Sequence, residues 1–591
     1  MCGVFGYTGK NIANNLVFQG LKRLEYRGYD SWGIAVNTNE KITIFKTIGE
    51  IKPDKGLSKL PQSTTAIGHT RWATHGGVTV NNAHPHISTD NSFTLVQNGI
   101  VENFDKLKRE LEAKEYEFTT QTDTEVIVKL LEEQLKTSKT FEDGFKKAFK
   151  QLDGRNTVVA MRTNGDILAI RNGSPLVVGI DDKDIYIASD SLSFAPYTNK
   201  VILIDDYDFV EIKNGEVEIH NILTKKKKSI NVLELKNTYT NIEKGKYEHF
   251  MLKEIVEQQE TIKYATQYTS DDFSQLSKSL KNAHRVYVVG AGTAGFAAGQ
   301  IAYYLRNIAH IDAQDVRSYE FKSYIPVLNK NDLVIAVSQS GETADTIEVL
   351  EIVKKMGCRI ASIVNMLGTT ISRMSDYPFY TNAGPEICVA STKVFTAQCA
   401  WGYTLAKNTA GELNDGLKNI KCISNKLSKY FSTKTYKSIQ TLSKTLRQQE
   451  HLFVLGKGEN AFTALEGALK IKEISYKHIE GFMAGELKHG VIALISKGTP
   501  VFGIISDDSD CKDLVSGMEQ VKARGATTIG VGDEKFKDLK VFDYFLCVPQ
   551  VKEITNISNI IPFQLISYFL SKELGNNIDK PRNLAKSVTV K

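Results

Sequence analysis

The stretch VYVVGAG, residues 286–292, recurs as LFVLGKG at residues 452–458. Two more pairs follow in the same order: LVIAVSQSG (333–341) with PVFGIISDD (500–508), and GCRIASIVN (357–365) with GATTIGVGD (525–533). Helical patterns such as TADTIEVLEIVKKMG separate these apolar runs. Short apolar strands that alternate with helices predict a parallel sheet with crossover helices. The second half of the chain is therefore predicted to contain two copies of one α/β module.

The first half of the chain has a different pattern. Strand-like runs such as FTLVQ (93–97) and NTVVAMRT (156–163) predominate, and two helical patterns lie at residues 103–114 and 122–135. Strands with clustered helices favour a layered α+β domain, which the pattern predicts to end near residue 235.

Composition restricts the class of protein. A chain of 591 residues is too long for one core and predicts three to four domains. The formal net charge is only +6, and the basic run TKKKKS (224–229) has no aromatic neighbours, so it predicts a solvated loop rather than a nucleic-acid surface. Seven scattered cysteines and the absence of a secretory pattern favour a reducing compartment. We expect a cytoplasmic protein that binds neither nucleic acid nor a membrane.

The opening residues MCGVFGY place a cysteine directly after the initiator methionine. If Met1 is removed, Cys2 carries a thiol beside a free α-amine. The amine, with an ordinary pKa of about 7.7–8.0, can serve as the base that the thiol needs. This is the arrangement of N-terminal nucleophile enzymes, although an incidental terminal cysteine would give the same local pattern.

Other motifs of the first half offer partners for such a nucleophile. Asn98 and Gly99 in QNGIVEN form a hairpin signal, but they could also supply an oxyanion hole. Arg71 in HTRWATHG suits a bidentate grip on a carboxylate. The segment TDTE (122–125) fits a capping box at a helix start, and Asp123 could accept hydrogen bonds from an α-amino group.

Two loops of the second half are candidate phosphate sites. GAGTAG (290–295), followed by Asp315, matches the fingerprint of dinucleotide binding, but the second copy keeps only GKGENA. SQSGET (338–343) follows an apolar strand and opens a helix predicted to start at Glu342 or Thr343. Its hydroxyls and N–H groups suit a phosphomonoester, although a polar helix cap without a ligand would look the same. The second copy reads IISDDSD, whose carboxylates would repel a phosphate, so only the first copy is predicted to bind one.

Several of these motifs resemble one family. MCGVFGY, LEYRGYDSWGIA, HTRWATHG, NAHPH, QNGIVEN and TDTEVI are similar to the glutaminase domain of the glutamine–fructose-6-phosphate aminotransferase family. SQSGET, NAGPEICVASTKVFTAQ, LEGALKIKEISY and GELKHG resemble its paired sugar isomerase modules, and the likeness continues to DKPRNLAKSVTVK at the end of the chain.

The resemblance implies a domain organisation. It places an N-terminal nucleophile glutaminase domain with a four-layer αββα fold at residues 2–235 and a linker at 236–255. Two α/β sugar isomerase (SIS) modules with parallel sheets follow at 256–415 and 416–575, and a catalytic tail at 576–591.

The resemblance also implies an activity. It indicates a class II glutamine amidotransferase that converts fructose 6-phosphate and glutamine to glucosamine 6-phosphate and glutamate, the first step of hexosamine synthesis. Glutamine hydrolysis at Cys2 would feed ammonia internally to the isomerase site. The resemblance implies no metal or redox cofactor, and a homodimer that shares His489 across its interface.

In the glutaminase domain, the resemblance makes Cys2 the nucleophile and assigns the oxyanion hole to Asn98 and Gly99. Trp72 would gate the passage of ammonia. The pocket residues that it implies are Arg71 for the glutamine carboxylate, Asp123 for the α-amino group, and Thr74, His75 and Arg27 around them.

In the isomerase modules, the resemblance makes Glu473 the base, His489 the ring-opening group and Lys586 the Schiff-base lysine. Taken alone, Lys470 and Glu473 would be interpreted as a surface ion pair. Relatives commonly carry a serine where this chain has Ala294, so one hydroxyl contact is missing. The phosphate would bind to Ser338, Gln339, Ser340 and Thr343, and the sugar to Thr293, Val389, Ser391 and Lys470.

Two other functions stay open at the level of sequence. One is another amidotransferase with the same glutaminase, such as the phosphoribosyl-pyrophosphate enzyme, which the duplicated isomerase pattern disfavours. The other is a non-catalytic sugar-phosphate sensor, which the presence of Cys2, Glu473, His489 and Lys586 disfavours.

Overall fold

The computed structural model describes residues 2–38, 41–235 and 243–588. They form two compact units: the first contains the residues up to Glu243 together with those from Ser587 onward, and the second runs from Lys244 to Lys586. Residues 236–242 of the predicted linker and residues 589–591 of the predicted tail lie outside the described residues. Within the described ranges, no helix combines the length and apolar character that crossing a membrane requires.

The first unit consists of antiparallel strands and a few helices. Its strands, in chain order, are β1 (Gly3–Thr8), β2 (Ser31–Thr38), β3 (Lys41–Ile48), β4 (Thr65–Arg71), β5 (His86–Ile87), β6 (Phe93–Gly99), β7 (Asn156–Arg162), β8 (Ile167–Asn172), β9 (Val177–Asp181), β10 (Asp184–Ala188), β11 (Lys200–Leu203), β12 (Asp208–Lys213), β13 (Glu216–Asn221) and β14 (Leu233–Glu234). Its helices are α1 (Ala13–Leu24), α2 (Phe104–Glu112), α3 (Asp123–Leu135) and α4 (Phe141–Phe149).

These strands form two sheets that pack face to face. One sheet has the order β14-β11-β9-β10-β1-β4-β2-β3 and the other β13-β12-β8-β7-β6-β5. Apolar side chains such as Ile67 and Val159 fill the space between them. Helix α1 covers the outer face of the first sheet, and α2, α3 and α4 cover that of the second. The four-layer αββα fold predicted for this part of the chain is therefore confirmed.

The start of α3 agrees with the sequence, but the capping box predicted there is wrong. The Thr122 side chain makes no cap hydrogen bond, and its Oγ1 lies 3.1 Å from Nε2 of the buried His86. The Glu125 carboxylate instead accepts the N–H groups of Thr119 and Thr120, at 2.9 and 2.6 Å. The Thr122 hydroxyl thus contacts the buried imidazole and, at 3.0 Å, the Thr120 hydroxyl, rather than the N–H groups of the helix.

The second unit alternates strands with helices. Its strands are β15 (Val286–Gly290), β16 (Ala313–Arg317), β17 (Leu333–Ser338), β18 (Arg359–Val364), β19 (Tyr377–Tyr380), β20 (His451–Gly456), β21 (His478–Met483), β22 (Pro500–Ile505), β23 (Thr527–Gly532) and β24 (Tyr544–Cys547). Its helices are α5 (Phe250–Tyr264), α6 (Ser270–Asn282), α7 (Gly292–Asn307), α8 (Ala344–Lys355), α9 (Thr370–Met374), α10 (Lys393–Ala410), α11 (Leu413–Tyr430), α12 (Thr433–Leu446), α13 (Ala461–Ser475), α14 (Cys511–Ala523), α15 (Thr555–Asn559) and α16 (Ile561–Leu574).

The internal repeat of the sequence is a repeat of fold. One sheet has the order β16-β15-β17-β18-β19 and the other β21-β20-β22-β23-β24, so both follow the order 2-1-3-4-5. All neighbouring strands in both sheets are parallel. Strand β17 is buried along its whole length, as expected for a strand covered on both faces. The prediction of two parallel α/β modules is confirmed.

Details of the predicted boundaries differ from the structure. Helix α8 begins at Ala344, one or two residues later than predicted. The predicted boundaries after residues 255 and 415 fall inside α5 and α11, which are continuous helices.

Candidate active sites

The thiol of Cys2 lies just before β1, against the backbone of Trp72. The Trp72 N–H donates to Cys2 Sγ at 3.3 Å, and Sγ lies 3.5 Å from the Trp72 carbonyl oxygen. Burial raises the pKa of the Cys2 thiol above its ordinary value, while the Trp72 N–H and the Arg71 guanidinium act in the opposite direction. Because the net shift is upward, the resting group is a thiol, and it needs a base before it can act as a nucleophile.

The side chain of Asn98 reaches Cys2 from β6. Its Nδ2 donates to the Cys2 carbonyl oxygen at 3.1 Å and to the Ser189 hydroxyl at 2.8 Å. Gly99 is the last residue of the same strand. Arg27 Nε also donates to the Cys2 carbonyl, at 3.2 Å. The structure thus brings the predicted nucleophile together with Asn98, and Gly99 follows Asn98 at the end of the strand.

The residues predicted to bind glutamine lie around the end of β4 and the start of α3. Arg71 donates to the carbonyl oxygens of His75, Gly76 and Gly77. Asp123 is buried, and its Oδ2 accepts the N–H of Val101 at 2.9 Å.

The residues predicted to bind glutamine differ in their charge and in their exposure to solvent. Burial raises the pKa of Asp123, and the nearby His75 and Arg71 act against that rise. Thr74 is exposed, and the His75 ring lies 5.7 Å from the Phe104 ring. Arg71, His75 and Asp123 therefore form one electrostatic cluster, with Thr74 at its exposed side.

The predicted phosphate loop connects β17 to α8. Ser338 Oγ accepts the N–H of Gly341 at 3.0 Å and lies 3.2 Å from Thr343 Oγ1. The Ser340 hydroxyl accepts the N–H of Glu342 at 3.2 Å, and the Gln339 carbonyl accepts that of Asn365 at 3.1 Å. The Thr343 side chain makes no cap bond at the start of α8. Hydroxyls and a helix N-terminus thus meet at the carboxyl edge of the sheet, where an anion is favoured.

Lys470 of α13 is fully buried among oxygen atoms. Its Nζ lies 2.6 Å from Glu473 Oε2, 3.0 Å from Thr293 Oγ1 and 3.5 Å from Glu466 Oε1. The interpretation as a surface ion pair is wrong, because the Lys470 side chain is 0% exposed and that of Glu473 only 20%. Burial raises the pKa of Glu466 to about 8. Such buried pairs are costly to desolvate and are typical of acid–base sites.

A second buried pair joins Lys586 to Glu386. Lys586 Nζ lies 2.6 Å from Glu386 Oε2 and donates to the Cys388 carbonyl at 2.8 Å. The Ser391 hydroxyl donates to the same carboxylate oxygen at 2.7 Å, and the Thr392 N–H to the other at 2.8 Å. Although burial acts to raise it, the pKa of Glu386 is held below its usual value by Lys586 and these hydrogen bonds. Lys586 and Ser391 are thus joined through Glu386.

Three residues named from the sequence remain to be placed: His489, Val389 and Ala294. His489 ends the short segment Ala484–His489 and is exposed. Within the described ranges, no hydrogen bond or ion pair joins its imidazole to Glu473 or Lys586. Val389 is buried and directly follows Cys388, whose carbonyl accepts from Lys586. Ala294 follows Thr293 in the first turn of α7.

The equivalent loop of the second module, residues 506–510, lines a cavity of about 320 Å³. Asp507 pairs with Lys535 at 2.5 Å and Asp510 with Lys457 at 3.2 Å. Its three aspartates give this loop a negative lining, which disfavours a phosphate.

Sequence reasoning missed four residues of the two sites. His69 and Glu386 lie inside the quoted motifs HTRWATHG and NAGPEICVASTKVFTAQ, but nothing local distinguishes them. Glu466 lies four residues before Lys470, so the helical spacing could have revealed it. Ser189 has no local signal, because only the fold brings it to Asn98.

The first unit places a thiol beside an amide donor on an αββα fold, and the second places buried lysine–carboxylate pairs on two parallel α/β modules. Together these features define a glutamine amidotransferase joined to paired sugar isomerase domains. Family models agree: residues 69–195 match the glutamine amidotransferase domain, and residues 279–407 and 445–571 match the SIS domain. The chain belongs to the glutamine–fructose-6-phosphate aminotransferase (isomerizing) family. Relatives of that name from Pyrococcus horikoshii and Clostridium acetobutylicum are 39% and 37% identical over the whole of both chains.

A solved structure supports the same assignment for the second unit. The C-terminal domain of glucosamine-fructose-6-phosphate aminotransferase from Francisella tularensis is 31% identical, with a TM-score of 0.54, and covers 57% of this chain and 100% of its own. The isomerizing aminotransferase predicted from the sequence is confirmed. The dinucleotide-binding, phosphoribosyl-pyrophosphate and sensor alternatives are set aside.

Proposed function

We propose that the two sites carry out the two halves of the family's reaction, which converts glutamine and fructose 6-phosphate to glutamate and glucosamine 6-phosphate. The observation that carries this proposal is the presence of both machineries in one chain. Cys2 lies against Asn98 in the first unit, and Lys586 and Lys470 are each paired with carboxylates in the second.

The first half-reaction takes place at Cys2. After removal of Met1, the α-amine of Cys2 takes the proton of its own thiol, and the thiolate attacks the side-chain amide carbon of glutamine. Asn98 Nδ2 and the Gly99 N–H donate to the oxyanion. The protonated α-amine gives its proton to the leaving nitrogen, which departs as ammonia, and water then hydrolyses the γ-glutamyl thioester to glutamate and the free thiol. The groups that hold glutamine are Arg71 for its carboxylate, Asp123 for its α-amino group, and Thr74, His75 and Arg27 around the pocket.

The second half-reaction begins with binding of the phosphate at Ser338, Gln339, Ser340 and Thr343. Thr293, Val389, Ser391 and Lys470 contact the sugar, and His489 opens its ring. Lys586 attacks C2 as a neutral amine, and Glu386, whose Oε2 lies 2.6 Å from Nζ, holds that nitrogen in place.

Attack by Lys586 releases the C2 oxygen as water and leaves a carbon–nitrogen double bond to the lysine. Ammonia displaces the lysine, and Glu473 moves a proton from C1 to C2. The ketose skeleton thereby becomes the 2-amino aldose.

Ammonia passes from the first site to the second without entering solvent, with Trp72 as the gate. The chemical reason is that ammonia released to neutral water becomes ammonium, which is not a nucleophile.

With amide-¹⁵N glutamine and an excess of unlabelled ammonium, we expect the amine of the product to carry ¹⁵N. Mass spectrometry of the product checks this. A product whose ¹⁵N content is diluted to that of the bulk ammonium would contradict internal transfer. If no ¹⁵N-labelled product forms when ammonium is left out, the proposed function itself is contradicted.

The functional protein is a homodimer in which each subunit lends His489 to its neighbour's site. The exposed position of His489, apart from Glu473 and Lys586, supports this arrangement. Co-expression of His489→Ala with Lys586→Ala, each inactive alone, should then restore about a quarter of the native synthesis, because half of the dimers gain one complete site. Failure of every mixed preparation to recover activity would place His489 on its own chain's site.

The module organisation is proposed to follow the helices. A division at Gly411, which ends α10 in a left-handed conformation, fits the structure better than one inside α11.

The protein is proposed to work in the cytoplasm without nucleic acid. In support, Lys227 pairs with Glu218 and Lys228 with Asp205 and Asp208, so half of the basic run is already neutralised.

A further inference from the structure

We propose that His69 is a positioning residue, which fixes the side-chain amide of Asn98 so that its nitrogen faces the reacting carbonyl oxygen of glutamine. This inference rests on the proposed function, in which Asn98 donates to the oxyanion at Cys2.

His69 connects the two sheets of the first unit. It lies in β4 of one sheet, and its Nε2 lies 3.0 Å from the Gln97 carbonyl oxygen and 3.1 Å from Asn98 Oδ1, both on β6 of the other. A ring nitrogen that faces two oxygen acceptors carries a proton. The Nε2–H of His69 therefore donates to the oxygen end of the Asn98 amide.

The other end of the same amide confirms its orientation. The Cys2 carbonyl, which can only accept, lies 3.1 Å from Asn98 Nδ2. Ser189 Oγ lies 2.8 Å from the same nitrogen. Both N–H bonds of Asn98 are thus in use, so donation to the oxyanion requires one of them to be released. The contact with His69 then holds the amide in place, and a donor on Oδ1 also strengthens the N–H groups as donors.

The ring of His69 is held in one protonation state. It is fully buried, and its Nδ1 has no hydrogen-bond partner in the part of the chain that the structure describes. Burial, with the nearby Arg71, lowers the pKa of His69 to about 3. The imidazole is therefore neutral at working pH and carries its one proton on Nε2, the atom that the hydrogen bond requires.

A second imidazole locks the ring in position. His84 stacks on His69 with the ring centres 4.1 Å apart and 19° between the planes. Its Nε2 lies 3.1 Å from Thr124 Oγ1, which donates to the Gln97 side chain at 2.7 Å. Thr124 follows Asp123 on α3, so the stack ties the oxyanion donor to the helix that carries the proposed α-amino group ligand.

The test compares two amide variants. In His69→Gln the side-chain nitrogen is as many bonds from Cα as Nε2 of histidine, whereas in His69→Asn it is one bond closer. We expect His69→Asn to lower kcat for glutamine hydrolysis by about 10²-fold, the size of one oxyanion donor. The KM for glutamine should stay unchanged, which also reports that the first unit is folded. His69→Gln should restore kcat to within about tenfold of the native value, because its amide can reach the same oxygen.

A double-mutant cycle makes the test specific. If His69 acts through Asn98, His69→Asn should cost no further kcat in an Asn98→Ala background. Additive losses, equal losses in the Gln and Asn variants, or a raised KM with native kcat would each overturn the proposal. Should His69→Asn fail to bind glutamine, His69→Met, which keeps the volume but has no donor, takes its place. Failure of the proposed function is recognised separately, because Cys2→Ala would then still release glutamate.

Discussion

Replacement of Cys2 by alanine is expected to lower glutamine-dependent synthesis of glucosamine 6-phosphate by on the order of 10³-fold or more. Synthesis from added ammonium should stay within about twofold of the native rate, since ammonium bypasses only the first site. The physical reason is that Cys2 Sγ is the atom proposed to bond to the amide carbon, and alanine removes it. Product formation with each nitrogen donor, measured on the same preparation, checks this.

A matched control separates the nucleophile from thiols in general. Cys422, an exposed free cysteine on α11, can be replaced by alanine and should leave both activities unchanged. Native use of glutamine by Cys2→Ala would show that Cys2 is not the nucleophile. Equal loss with both nitrogen donors would contradict the assignment of the two reactions to separate sites.

Replacement of Lys586 by methionine is expected to abolish amination of fructose 6-phosphate with either donor, by on the order of 10³-fold or more. Hydrolysis of glutamine at Cys2 should continue. Lys586 Nζ is the atom proposed to bond to C2 of the sugar, and methionine keeps the apolar stem while removing it. Reduction of the native enzyme with borohydride in the presence of fructose 6-phosphate should trap a covalent adduct on Lys586, visible by mass spectrometry of the peptide.

Lys407 provides the control for loss of a buried lysine. It lies in α10 and pairs with Glu412 and Glu553 rather than with the residues of the sugar site. Lys407→Met should still form the borohydride adduct and still aminate the sugar. An adduct that persists in Lys586→Met, or that forms on another lysine, would refute the assignment of the Schiff base.

The sequence patterns predicted most of the fold but missed α1 and α4. Each of these helices contains a glycine, Gly20 in α1 and Gly144 in α4, which lowers the local helix signal. At Gly20 the reason lies in packing, because a Cβ atom there would lie 2.4 Å from ring carbons of Phe5 in β1. Close contact of the helix with the sheet selects glycine against its local preference, and a single sequence does not reveal such contacts.

The sites show the same division between local and distant information. The loop 338–343 could be predicted because strand, hydroxyls and helix start are continuous in the chain. Glu386 could not, because its partner Lys586 lies 200 residues away. The Asn98 amide likewise contacts His69 on β4 and Ser189 directly after β10. Both residues are distant from Asn98 in the chain, so the sequence does not reveal the orientation of the amide.

The contact of Thr293 with Glu466 and Lys470 has a consequence for the ancestry of the chain. Thr293 belongs to the first α/β copy, and its partners belong to the second. In the proposed reaction the first copy holds the phosphate, while helix α13 of the second copy carries the residue that moves the proton. Neither copy alone would contain all the groups of that proposed site. The two copies and the tail that carries Lys586 therefore have to be inherited together for the proposed sugar site to be complete.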